Sequence, residues 1–175
     1  LWRPSKIYRH LFFCFSRKYF SGDGCYKNED CMFRITGRVG DVLIVSGHNL
    51  GTAEIESAID EHENVCESAI VGYPHQIKGN GVFAYVICHK KPEKEDKISI
   101  EINSLITKHV GPIAKVDKFL YVEGLPKTRS GKIMRRILRK IASGEFNELG
   151  DTSTLLDPSV VTVSYTHLRA HETLG

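Results

Sequence analysis

Long apolar runs are missing from this 175-residue sequence. The longest aromatic and apolar stretch, Leu11 to Phe15, falls far short of the ~20 residues a helix needs to span a bilayer, so no transmembrane helix is expected. Cysteine is sparse and unpatterned. Cys14, Cys25, Cys31, Cys66 and Cys88 form no Cys-x-x-Cys pair and have no histidine at zinc-finger spacing, so they read as reduced thiols of an intracellular protein. No internal repeat is present. What remains, 41% hydrophobic, 26% charged and 9% aromatic residues, is the balance of a globular domain and excludes a disordered tail, a collagen and a coiled coil.

Acids are missing from one segment in particular. Lys127, Arg129, Lys132, Arg135, Arg136, Arg139 and Lys140 fall within 127–140 without a single Asp or Glu. Taking those seven from the 24 Lys and Arg leaves 17 cations against 21 acids, so the net charge of +3 is local. A generally basic, nucleic-acid-coating surface is therefore not implied. The amino end shows the same bias: the first 22 residues hold five cations and no acid, and the chain opens at Leu1. A truncated reading frame is expected there in preference to a transit peptide.

Residues 1–18 have neither a period of two nor a helical stripe. A Gly22-Asp23-Gly24 turn leads to a short strand near Met32–Thr36, a joint over 37–41 with Gly37 and Gly40 around Arg38, and a β-branched run over Val42–Ser46. Gly47 to Gly51 is read as a turn into a helix from Thr52 to about Glu61, with Thr52 as cap, Glu54 and Glu56 at the positive end, and Ile55, Ala58 and Ile59 inward. Strands over Val65–Tyr73 and Val82–His89 flank a long loop from Pro74 to Gly81, and Lys90–Lys97 is a solvated loop. A helix over Ile98–Val110 stops at Gly111-Pro112, and a strand over Val116–Val122 follows. The basic loop 125–132 enters a helix whose stripe is Ile133, Met134, Ile137, Leu138 and Ile141, with Arg135, Arg136, Arg139 and Lys140 on the opposite side. Ser143-Gly144 ends it, and Glu145 to Val161 is a polar extension with turns at Gly150-Asp151 and Asp157-Pro158.

Several motifs admit two readings. The basic loop is not a Walker P-loop, because six residues separate Gly124 from Gly131 and Ile133 follows Lys132 where Ser or Thr is needed. A lysine on such a loop can still bring a point charge to a phosphate or carboxylate, although a solvated basic face is the commoner outcome. A nucleic-acid or acidic-partner patch is the competing use, and the lack of aromatic residues over 125–144 argues against it. Asp23 either accepts hydrogen bonds from sugar hydroxyls or steadies its turn, and Arg38 is either a ligand clamp or a surface arginine. His48 lacks a nucleophile and a carboxylate partner. His167 and His171 share helical metal spacing without the glutamate of a zinc-protease helix.

Four strings in order, Tyr19-Phe-Ser-Gly-Asp-Gly24, Ile35-Thr-Gly-Arg-Val39, Val45-Ser-Gly-His-Asn-Leu-Gly-Thr-Ala-Glu-Ile-Glu-Ser57 and Leu125-Pro-Lys-Thr-Arg-Ser-Gly-Lys-Ile-Met-Arg-Arg136, resemble the AMP-forming adenylating enzymes. The closing Leu149-Gly-Asp-Thr-Ser-Thr-Leu155 narrows the resemblance to the carboxy-terminal part of the acetate-CoA ligases (acetyl-CoA synthetases), over roughly Tyr19 to Val161. The resemblance implies an α+β fold with a small mixed or antiparallel sheet flanked by helices. It also implies a mobile carboxy-terminal lid that closes over a larger domain in two orientations. The reaction so implied converts acetate, ATP and CoA to acetyl-CoA, AMP and pyrophosphate, with Mg2+ accompanying ATP.

By the same resemblance Lys132 matches the lysine essential for adenylation, Asp23 the aspartate on the ribose hydroxyls, and Arg38 the arginine on the same sugar. Gly47 matches a position where backbone passes close to the pantetheine arm of CoA. Three positions depart from the pattern. Gly40 stands where aspartate is usual at the hinge, Asn49 where a phosphate-contacting arginine is expected, and Thr107 where an arginine near the CoA nucleotide is expected. The expected organisation is 1–18 foreign to the family, 19–40 the remnant of the large domain and hinge, 41–161 the lid domain, and 162–175 a foreign tail. The isolated chain is expected to be inactive without the amino-terminal domain. No membrane partner is expected, and the cytoplasm is the expected location, with mitochondrion and nucleus left open.

Overall fold

The computed structural model describes residues 22–38, 41–145 and 155–157. Residues 1–18, Gly40, the Gly150-Asp151 turn, His167, His171 and the tail 162–175 lie outside them. The chain divides into two compact units, Leu1–Val42 and Leu43–Gly175.

In the first unit β1 (Asp23–Lys27) pairs antiparallel with β2 (Phe33–Arg38). Asn28 shapes the connection by accepting the Met32 N–H on its side-chain oxygen at 2.8 Å. Gly37 and Arg38, expected in a joint, lie in β2 instead, because they find cross-strand partners in Gly24 and Asp23.

The second unit is built on a three-stranded sheet of order β5-β6-β7: β5 (Val65–His75) runs antiparallel to β6 (Gly79–Cys88), and β7 (Lys118–Tyr121) parallel to β6. The fold class is thus the α+β arrangement with a mixed sheet. The long loop expected over 74–81 is instead a tight hairpin with His75 paired to Gly79. Pro74 is compatible with this because β5 is an edge strand. A parallel neighbour requires a crossover. The chain supplies it between β6 and β7 with α2 (Glu95–His109) and a 3₁₀ turn over Pro112–Ala114. Helix α2 begins three residues before Ile98, with Glu95 and Asp96 at its positive end.

Val82 to Val86 are all buried because both faces of the sheet are covered. Val82, Ala84 and Val86 meet Ile55 and Ile59 of α1 (Thr52–Asp60) and Ile102 and Ile106 of α2 in one core. Phe83 and Tyr85 meet Ile137, Leu138 and Ile141 of α3 (Arg135–Ala142) in the other. Residues 48–51, expected as a turn, form β4 (His48–Gly51) paired with β3 (Val42–Val45). Thr52 is consequently the first helical residue of α1, buried, and no side chain caps the helix at Gly51.

Tyr85 donates its hydroxyl to the Leu138 carbonyl at 2.9 Å, and burial pushes its ionisation well above the usual range. Burial likewise pushes Tyr121 up to about 12, against a hydrogen bond from Ser99 that favours the ionised form. A phenol whose folded pKa is raised contributes stability that is whole below its unfolded value of 10 and is lost as pH rises through the folded value. Alkaline titration followed by near-ultraviolet circular dichroism should therefore show unfolding between pH 10 and about 12, with Tyr121→Phe moving its onset upward. An onset below pH 9 would contradict this origin.

Candidate functional site

Lys132 sits at the exit of a loop shaped by its neighbours. Thr128, Arg129, Ser130 and Gly131 form a turn closed by the Gly131 N–H on the Thr128 carbonyl at 2.9 Å, with Gly131 at φ +80° where a side chain would strain the backbone. Thr128 then takes both backbone groups of Lys132: its N–H donates to the Lys132 carbonyl at 2.9 Å, and its hydroxyl accepts the Lys132 N–H at 3.1 Å. Lys127 and Ile133 bridge the two arms, and the Met134 N–H donates to the Pro126 carbonyl at 2.8 Å. This bridge holds Ile133 out of the helix, which starts at Arg135 and not at Ile133 as its apolar period suggests. From the closing segment, Leu155 pairs with Thr128 and the Leu156 N–H donates to the Lys127 carbonyl at 2.9 Å.

The cations of this segment are not alike. Lys127 pairs with Glu67 at 2.7 Å. Arg135, expected on the solvent face, turns to Glu56 of α1 and meets both carboxylate oxygens from Nη2, at 2.9 and 2.7 Å, while its buried Nε has no hydrogen-bond partner among the described residues. Glu56 also accepts the Ile70 N–H at 2.8 Å. Burial raises the Glu56 carboxyl above its usual value, and the Ile70 N–H and Arg135 pull against that rise. Lys132 is exposed, and no carboxylate pairs with it among the described residues.

Asp23 and Arg38 are register partners across β1–β2, with Arg38 Nε 4.0 Å from Asp23 Oδ1 and both side chains exposed. Sequence spacing alone did not reveal that pairing. Gly47 follows Ser46 in the two-residue connection of β3 and β4, at φ +82° and +49°, the pattern of a type I′ turn. Apart from Gly47 itself and its two chain neighbours, no atom of the described residues lies within 4 Å of where a Gly47 Cβ would stand. Gly47→Ala should thus cost about 1 kcal/mol through backbone strain and not through a clash, and Ser46→Asn should stabilise the turn by a few tenths. Thermal unfolding tests both, and a destabilising Ser46→Asn would contradict the turn assignment.

Asn49 is exposed on β4, and Thr107 donates its hydroxyl to the Asn103 carbonyl of its own helix at 2.7 Å. His48 is exposed, with Nδ1 3.2 Å from the Ser46 carbonyl oxygen. Among the described residues no cluster of three His, Cys, Asp or Glu could hold a metal ion, and no helix is long and apolar enough to cross a membrane. Cys25, Cys31, Cys66 and Cys88 are free thiols. Glu56, expected with Glu54 at the positive end of α1, lies beyond the first turn and faces Ile70 and Arg135 instead, and Glu67 has no role in the sequence reading. The only signal was Glu56's place between Ile55 and Ile59 on the inward stripe of α1.

The AMP-binding enzyme C-terminal domain family matches residues 54–132, a span that ends on Lys132. The acetyl-coenzyme A synthetase of Brucella anthropi is 57% identical over 152 residues, 86% of this chain and 23% of that protein. That of Magnetococcus marinus is 59% identical over 143 residues, 82% of this chain and 22% of that protein. The chain therefore spans less than a quarter of the length of these relatives. Among solved structures, ATP-bound MatB from Rhodopseudomonas palustris is similar with a TM-score of 0.68 and 28% identity, over 79% of this chain and 27% of that one. The anthranilate CoA ligase AuaEII, in complex with anthranoyl-AMP, is similar with a TM-score of 0.69 and 27% identity, over 79% of this chain and 26% of that one. Its sequence and fold place this chain in the AMP-forming adenylating family, as the C-terminal domain of an acetyl-CoA synthetase-like enzyme.

Proposed function

We propose that the chain is the lid of an AMP-forming acetate-CoA ligase and that Lys132 serves the adenylation step. One observation carries this reading: Lys132 stands exposed on a loop of fixed shape and unpaired with any described carboxylate, while Lys127 and Arg135 are neutralised by Glu67 and Glu56. In the first half-reaction an acetate oxygen attacks the α-phosphorus of ATP and pyrophosphate leaves. Two anions must meet, and a positioned ammonium offsets their repulsion as charge moves to the departing group. In the second, the CoA sulfur attacks the acyl carbon, its proton is lost to solvent or a base, and AMP leaves. A lysine on a lid can be delivered for the first step and withdrawn for the second.

The remaining assignments follow the same chemistry. Asp23 accepts hydrogen bonds from the ribose hydroxyls, and Arg38, opposite it in the hairpin, contacts the same sugar. The open space over Gly47 suits the pantetheine arm of CoA, and Asn49 lies two residues on, where a neutral amide gives CoA phosphate less than an arginine would. Mg2+ arrives with ATP as part of the substrate. The chain alone is inactive, and the larger domain supplies the acyl pocket and most of the nucleotide site. The working compartment is the cytoplasm. A nucleic-acid role for 127–140 is weakened because Glu67 and Glu56 take two of its seven cations. The test is a chimera in which this chain replaces the matching segment of the Brucella anthropi relative. Acetate-dependent pyrophosphate exchange is expected. Its absence, or tight and steeply salt-dependent binding of duplex DNA by the chain, would overturn the reading.

A further inference from the structure

The two ion pairs beside Lys132 stand at opposite ends of its loop. Lys127 opens the loop and reaches Glu67 on β5, and Arg135 closes it and reaches Glu56 on α1. Both acceptors belong to the α1–β5 layer, and Glu56 joins it to the loop directly, because one carboxylate takes the Ile70 N–H of β5 and the Arg135 guanidinium. The bonds between Thr128 and Lys132 close the turn upon itself, so they set its internal shape and not its placement on the domain. Leu155 and Leu156 secure the entry arm by backbone pairing. The ion pairs tie both ends to the layer that carries the β3–β4 hairpin into α1. They also neutralise the flanking cations, which would otherwise repel Lys132 toward whatever direction solvent allowed.

We propose that Glu56 and Glu67 are positioning residues that hold the Lys132 loop by its two ends. The catalytic consequence rests on the reading of Lys132 given above; the holding itself does not. Charge-assisted contacts of this kind resist local opening, and a loop without them should open more often while the sheet stays closed.

The test uses the 175-residue chain and amide hydrogen exchange. Glu67→Gln and Glu56→Gln are each expected to speed exchange about tenfold at Met134, whose N–H joins the Pro126 carbonyl across the base of the loop, with Tyr85 of β6 unchanged, and the swapped pair Lys127→Glu/Glu67→Lys to restore slow exchange. Glu67→Gln keeps the test valid if the more buried Glu56 variant unfolds, since the Lys127–Glu67 side chains are about one-third exposed. Unchanged exchange at Met134 in Glu67→Gln overturns the proposal whatever the activity shows. In the chimera the same variants should lower pyrophosphate exchange about tenfold and leave thioester formation from acetyl adenylate and CoA within about twofold. Equal losses in both steps would reduce the glutamates to stability and overturn the positioning role. If Lys132→Ala leaves pyrophosphate exchange intact, the functional reading falls, and the amide data still decide whether the loop is held.

Discussion

Replacing Lys132 by alanine is expected to cut acetate-dependent pyrophosphate exchange of the chimera by about 10²–10³-fold, the usual loss when one preorganised donor is removed from a transition state that gathers negative charge. The same variant should form thioester from supplied acetyl adenylate and CoA at nearly the parent rate, because the proposed lid motion withdraws the lysine for that step. The fold should be untouched, since the side chain is exposed and its loop is closed by backbone groups that alanine retains. Lys132→Arg should not restore exchange, because a broad planar guanidinium does not replace a compact point charge. Exchange within a few-fold of the parent in Lys132→Ala would refute the assignment. A parallel loss in both half-reactions would instead mean that the loop as a whole had been displaced.

Much of this architecture could be read from local sequence. The stripes of α1 and α2 and the β-rich run from Val82 announce helices and a strand, and the cores contain those residues. The misplacements share a cause. His48, Asn49 and Gly51 have low strand propensity and read as a turn, yet pairing with β3 overrides that and makes them β4. Pro74, Gly79 and Gly81 look like breakers of a long loop, yet they stand in the β5–β6 hairpin, where an edge strand tolerates the proline. The site divides the same way. Lys132 and Gly47 stand out as candidates because short strings carry them. The cross-strand placement of Asp23 and Arg38 and the pairing of Arg135 with Glu56 join residues far apart in sequence, and only the register and the helix–sheet packing bring them together.

Arg135 is where that distinction has its largest effect on stability. Arg135→Met should destabilise the chain at pH 7 by about 3–5 kcal/mol, toward the lower end because the arginine side chain keeps 23% of its exposure. Most of that loss is not the value of the ion pair. It is the cost of leaving the Glu56 carboxylate buried with the Ile70 N–H as its remaining donor. Two consequences follow from this origin. Glu56→Gln/Arg135→Met should recover most of the loss, since an amide carries no charge to strand and can still accept from Ile70. The deficit should also depend on pH. Removing the cation raises the folded pKa of Glu56 further above 4.5, so its contribution is whole below pH 4.5 and is lost as pH rises through the raised value. Urea unfolding at pH 4.5 and pH 7 should therefore find the single variant close to the parent in acid and far below it at neutrality. A deficit equal at both pH values, or one that Glu56→Gln does not relieve, would mean that packing of the arginine stem sets the effect and the buried charge does not.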